Sequence, residues 1–145
     1  LSDPAKCTLA MFHRPRYTWG EHSGEPLVQP LWRLLAKAKA ELLLTGHNHD
    51  YERYARLDAS GSRSRSGLRQ FVVGTGGKQL YSWGTQAKGR RPQAKNNTTA
   101  GVLKLRLKPT SYAWRFVPAE FAGNGRFVDS GNATCRGPGA PLPAR

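Results

Sequence analysis

Two short apolar runs bracket an amphipathic stretch near the start of the chain. "CTLAMF" (Cys7–Phe12) and "ELLLT" (Glu41–Thr45) have the length and continuity of buried strands. Between them, Leu31, Leu34, Leu35 and Ala38 recur at i, i+3, i+4 and i+7. That spacing predicts a helix over roughly Val28–Lys39 with those four residues on its core face. Pro30 suits the first turn, and Lys37 and Lys39 complement the negative C-terminal end. Strand, helix, strand is a βαβ unit, whose loops gather at the C-terminal ends of its strands.

Farther along, the period changes to two. In "GVLKLRL", Leu103, Leu105 and Leu107 share one side, with Lys104 and Arg106 on the other. In "SYAWRFV", Tyr112, Trp114 and Phe116 share a side. This alternation predicts sheet with one buried face, and "LKPTS" (Leu107–Ser111) predicts the hairpin turn between the two strands. "YERYARL" and "LRQFVVG" are two further strand candidates. The polar, basic stretches "DASGSRSRSG" and "QAKGRRPQAKNNTT" read as loops, and the closing "RGPGAPLPAR" as a disordered tail. "GTGGKQ" lacks the spacing of a phosphate-binding P-loop and reads as a strand-ending turn.

Composition adds a sign. The 145 residues carry 23 Lys+Arg against 9 Asp+Glu, a formal net charge of +14. Such a surplus favours acidic partners such as phosphate esters, nucleic acid or anionic membranes. No run of about 18 apolar residues exists, so no membrane-crossing helix is expected. Cys7 and Cys135 lie outside any CxxC spacing, and sequence alone leaves a bridge and two buried thiols equally open.

The four histidines, His13, His22, His47 and His49, all fall in the first third of the chain. They lie at or after the predicted C-terminal ends of the core strands. In "ELLLTGHNHDYER" the pair His47 and His49 is separated by one residue, so in an extended segment both imidazoles point one way. Imidazole is the commonest protein ligand for transition metals, which makes the pair a candidate metal site rather than a plain polar turn. Gly46 is expected to permit a sharp exit from the strand. Asp50 is expected to hold one of the rings from behind.

These residues carry a resemblance. "GHNHDYER" after an apolar strand resembles the C-terminal Gly-His-x-His motif of the calcineurin-like metallophosphoesterases. Its "YER" extension is similar to the purple acid phosphatase branch and its bacterial relatives. "CTLAMFHRP" resembles that branch's strand ending in a metal-binding His followed by x-Pro, and "GLRQFVVGTGG" and "GVLKLRL…YAWRFVP" look like its closing strands. The resemblance implies an α/β fold, the C-terminal half of a four-layer α/β/β/α sandwich in which the βαβ unit is followed by mainly antiparallel strands. The domain part would cover residues 1–135, with 136–145 as the tail.

The same resemblance implies a reaction. His13 and His47 would bind one ion of a pair of divalent or trivalent metals of the Fe, Zn or Mn class, and His49 the other. His22 would be both the substrate-binding and the catalytic residue, contacting the phosphate of a monoester and protonating the leaving group. A metal-bridging hydroxide would attack phosphorus. The branch is typically exported, which implies a secreted or extracytoplasmic setting and a Cys7–Cys135 disulfide.

The chain also departs from the pattern. The family's Asp-x-His, Gly-Asp and Gly-Asn-His motifs, which lie in its N-terminal half, have no match here. The expected partners are therefore a phosphate ester and the missing N-terminal half of the same domain, with no membrane or nucleic acid. This chain alone is expected to be inactive. The alternative is a non-catalytic basic module that binds phosphate-rich partners such as nucleic acid.

Overall fold

The computed structural model describes residues 7–83, 90–121 and 124–136. β1 (Leu9–Met11) leads through a single 3-10 turn at Pro26–Val28 into α1 (Gln29–Lys37), and α1 leads into β2 (Leu42–Thr45). β1 and β2 pair in parallel, Leu9 opposite Leu42 and Met11 opposite Leu44. The βαβ unit is therefore present, with its two strands as direct neighbours. β3 (Tyr51–Leu57) and β4 (Leu68–Val73) follow, then β5 (Ala94–Asn96), in a five-stranded mixed sheet of order β1-β2-β4-β3-β5. β6 (Gly101–Lys108), β7 (Ser111–Pro118) and β8 (Ser130–Thr134) form a separate antiparallel sheet.

The sheets pack face to face. Leu42, Tyr51 and Phe71 of the mixed sheet meet Tyr112, Trp114 and Phe116 of the second in one core. On the other face of the mixed sheet, Leu43, Leu57 and Leu68 receive Trp32 and Leu35 of α1. Alternate residues of β2 thus serve opposite cores, as the period of a strand requires. The described residues make three layers: helix, mixed sheet, second sheet. Phe71 and Phe116 are fully buried, and each such side chain contributes about 1.5–3 kcal/mol.

The helix turns a different face inward from the one its leucines suggest. Leu31 and Leu34 are exposed, whereas Trp32 is fully buried. Trp32 offers the larger apolar surface, stacks edge-on against Tyr17, and donates its indole N–H to the Asp58 carbonyl at 2.9 Å. That combination outweighs two leucines. The helix also ends before Lys39. Ala40 N–H returns to the Leu35 carbonyl and Lys39 N–H to Ala36, while Lys39 takes φ 56°. This is a Schellman cap with lysine in the usual glycine position.

Two strands escaped the pattern reading. β5 lies inside the basic stretch read as a loop, and β8 inside the Gly-rich region after residue 123. Both are edge strands that draw their backbone partners from longer neighbours, β3 and β7. Leu107 runs past the core and is exposed, unlike Leu103 and Leu105. The tail from 137 onward lies outside the described residues. Among the described residues no helix is long and apolar enough to cross a membrane.

Two ties lock the sheets together. Cys7 and Cys135 form a disulfide that closes a separation of 128 residues. Asp129 accepts from Tyr51 Oη at 2.6 Å, Arg53 Nε at 2.7 Å, Arg53 Nη2 at 3.0 Å and Trp114 Nε1 at 3.1 Å. Burial raises the Asp129 carboxyl, but the Arg53 guanidinium and the phenol outweigh it and hold the group below its usual range.

Candidate functional site

The parallel pairing of β1 and β2 sets the site. Because these strands are adjacent and end on one rim, the residues just beyond them must meet. The Gly46 amide donates to the His13 carbonyl at 3.0 Å, pinning the two exits together. His13 Nε2 then lies 3.2 Å from His47 Nδ1, although 34 positions separate them. The His22 ring sits 4.9 Å from that of His47, centroid to centroid, and 5.3 Å from Tyr81. Tyr81 in turn stacks on His49 at 3.9 Å. All four histidines are thereby gathered on one rim. Before them opens a polar cavity of about 540 Å³ whose wall includes Arg14, Glu21, His22, Ser23, Glu25 and His47.

The turn that presents His47 is not built as expected. Gly46 does not adopt positive φ, and a Cβ there would meet nothing. The left-handed residue is His47 itself, at φ 67°. Asn48 N–H bonds back to the Gly46 carbonyl at 2.8 Å, so His47 is the centre of a γ-turn of positive φ. This conformation costs a non-glycine residue about 1–3 kcal/mol and is held by its surroundings. The glycine that the site does need is Gly74, where a Cβ would come within 1.9 Å of the Asn48 carbonyl oxygen. Its absence lets the end of β4 lie against the His-bearing loop.

A buried polar ladder supports His22. Asn48, Asp50 and Glu52 alternate with His47, His49 and Tyr51, and all three are fully buried. Asn48 clamps the backbone of His22 on both sides, accepting from its N–H at 2.8 Å and donating to its carbonyl at 2.9 Å. Glu52 accepts from Thr18 Oγ1, the Trp19 and Gly20 amides, and Tyr54 Oη. The loop that carries His22 is thus held from Thr18 to His22. Sequence reasoning passed over Asn48, Glu52 and Thr18. Asn48 and Glu52 stand in a run of polar residues at alternate positions leading into a strand, which was their signal.

Asp50 does not hold a histidine ring. Both of its carboxylate oxygens are buried without a hydrogen-bond partner. Burial, then the neighbouring Glu52 carboxylate, pushes Asp50 up to about 8. Burial raises Glu52 as well, and its four hydrogen-bond donors oppose that rise. An unfolded Asp50 ionises near pH 4, so its buried state loses stability as pH rises from about 4 to 8. Asp50→Asn is therefore expected to raise the melting temperature at pH 7 by several degrees, with the gain vanishing near pH 4. Thermal melts at the two pH values check this, and an equal effect at both would contradict it.

The imidazoles can be tested against a metal. Two nitrogens 3.2 Å apart, each about 2.0–2.1 Å from one cation, subtend roughly 100° there, an ordinary angle between neighbouring ligands. Desolvation, then Arg14 and the other three histidines, lowers His47, which favours the neutral, ligating form. His49 Nδ1 lies 2.9 Å from the Gln79 carbonyl, which can only accept, so Nδ1 donates there and Nε2 is the ring nitrogen left to face a ligand. Among the described residues, however, no cluster of three or more His, Cys, Asp or Glu could hold a metal ion. The residues present fit one cation held by two imidazoles. They do not by themselves fit a dinuclear centre.

No family model matches the chain, and no curated protein matches it. Among solved structures it is similar to the purple acid phosphatase PPD1 isolated from yellow lupin (Lupinus luteus) seeds, with a TM-score of 0.63 and 19% identity. The match covers 87% of this chain and 24% of that one, so the chain spans about a quarter of the length of its neighbour. What is shared at this identity is the fold: a mixed α/β arrangement of two sheets like that of a stretch of a phosphatase.

Proposed function

We propose that this chain supplies the histidine-bearing part of a metal-dependent phosphoesterase site that hydrolyses phosphate monoesters. The observation that carries the reading is the meeting of His13 and His47 at 3.2 Å on the rim of a βαβ unit. His13 Nε2 and His47 Nδ1 would hold one cation of the Fe, Zn or Mn class, and His49 Nε2 would contribute to a second. When bound, such ions supply a Lewis acid and a water acidic enough to act as nucleophile.

The chain's own residues would do the rest. Arg14 and His22 share the polar cavity, where the guanidinium would orient the phosphate. His22 would donate a proton to the leaving oxygen, held in place by Asn48 through its backbone. The carboxylate ligands would come from an N-terminal segment of the same domain, completing a four-layer sandwich. Among the described residues β1 and β6 each end a sheet, which supports this. Met11 and Val102 are exposed there, beside an apolar cavity of about 410 Å³ that both of them line. The disulfide supports an extracytoplasmic setting.

Calorimetric titration of the chain with Zn²⁺ tests the reading. Weak binding is expected, lost in His13→Ala and in His47→Ala while circular dichroism is unchanged, with little or no hydrolysis of p-nitrophenyl phosphate. Zinc uptake that persists undiminished in the double variant would refute it.

A further inference from the structure

The opposite rim of the mixed sheet carries a second polar site that the phosphoesterase reading does not use. A solvent-open cavity of about 410 Å³ lies between β3, β4, the loop joining them and the end of β8. Five arginines line it: Arg56, Arg63, Arg65, Arg69 and Arg136. The fold brings them there for identifiable reasons. Arg56 is the register partner of Arg69, and a shift of register between Arg53 and Arg56 turns Arg56 toward the second sheet. Its Nη2 donates to the Thr134 carbonyl at 2.8 Å and its Nη1 to Arg65 at 3.1 Å. Arg69 lies over the Trp114 ring at 4.9 Å. From Arg69 along β4 to Gly74, which lies against the histidine loop, is five residues and roughly 16 Å.

The donors of this cluster exceed its acceptors. Arg56 is only 9% exposed, and its Nε is buried without a partner. The same holds for Arg69 Nε and for Arg136 Nε and Nη1. Among the described residues, the carboxylates acting on Arg69 and Arg136 are Asp129 and Glu41 respectively, and Arg53 already holds Asp129. Desolvation, followed by the neighbouring guanidinium groups, lowers both Arg69 and Arg136. Five guanidinium groups crowded around one cavity repel one another, and that repulsion is costly unless an anion in the cavity balances their charge.

We propose that this pocket binds a compact polyanion bearing two or more phosphate groups, distinct from any ester turned over at the histidines. Tetrahedral oxyanions match the guanidinium fork, and several negative charges are needed to balance five arginines. Among the described residues the remaining wall is Ala55, Ser64, Gln93 and Ala133, which offers no aromatic platform for a nucleobase. The ligand class is therefore an oligophosphate or a multiply phosphorylated small molecule rather than a nucleic acid.

Calorimetry with tripolyphosphate, on metal-free chain in physiological salt, tests this. One equivalent is expected to bind. Arg63→Ser/Arg65→Ser should weaken binding about tenfold or more, a loss of roughly 1.4 kcal/mol. Both residues are exposed, so the variant's melting curve should match the parent's. His13→Ala/His47→Ala should leave the affinity unchanged, which separates this site from the proposed metal site. No binding at millimolar tripolyphosphate, an unaltered affinity in the arginine variant, or a loss in the histidine variant would each overturn the proposal. So would equally tight binding of a single-stranded oligonucleotide.

Discussion

Replacing Cys7 and Cys135 together by serine is expected to lower the melting temperature by roughly 10–20 °C. The bond closes a separation of 128 residues, nearly the whole described chain. In the loop-entropy account, opening a loop of this length gives back conformational freedom worth on the order of 4–5 kcal/mol to the unfolded state. A domain of this size has only about 5–15 kcal/mol in total. The local structure concentrates the effect. Cys135 is 5% exposed and belongs to the core between the sheets, and its amide donates to the Thr110 carbonyl at 2.9 Å. Without the bridge, β8 pairs with β7 and takes one further hydrogen bond from Arg56 at Thr134, while the three residues of β1 pair with β2. Melts with and without reductant measure the difference, and thiol titration of the unfolded, unreduced chain should find no free thiol. Two titratable thiols, or equal melting temperatures, would contradict the expectation.

Much of this fold was legible because its period is local. β3, β4, β6 and β7 begin and end within a residue or so of the runs that predict them, since alternation and apolar continuity are written into neighbouring side chains. β5 and β8 were not legible. "AKN" and "SGNAT" carry no apolar pattern, and their strand character comes from partners far away in sequence. The helix shows a subtler limit. Periodicity located α1 but pointed at Leu31 and Leu34, because spacing cannot weigh one tryptophan against two leucines.

The candidate site divides in the same way. The meeting of His13 with the loop that bears His47 and His49 follows from topology, so a βαβ reading was enough to anticipate it, whereas His22 is brought in by Asn48. What the sequence hid was the support. Asp50 looks like a natural partner for a histidine, yet strand alternation sends it to the other side, into a buried pair with Glu52. Gly46 looks like the flexible residue of the turn, yet the unusual φ belongs to His47. Both are questions of backbone torsion, which composition does not encode.

That torsion makes His47 the most informative position in the chain. If His47 is a metal ligand, His47→Ala in a protein that joins this chain to the proposed carboxylate-bearing segment should reduce turnover by about a thousandfold or more. Losing a ligand removes both the cation and the water it activates. His22→Ala should lower kcat by roughly 10²–10⁴ while metal content stays near the parent's, as expected of a proton donor. His47→Gly separates ligand from scaffold. Glycine accepts φ 67° without strain, so this variant of the chain should gain up to about 1 kcal/mol of stability while losing metal binding and turnover together. A residue kept for packing or hydrogen bonding would behave in the opposite way, with glycine costing stability and leaving metal content untouched. Melting temperature and metal analysis on the one variant distinguish the two. A destabilised His47→Gly chain that still binds zinc would remove His47 from the site.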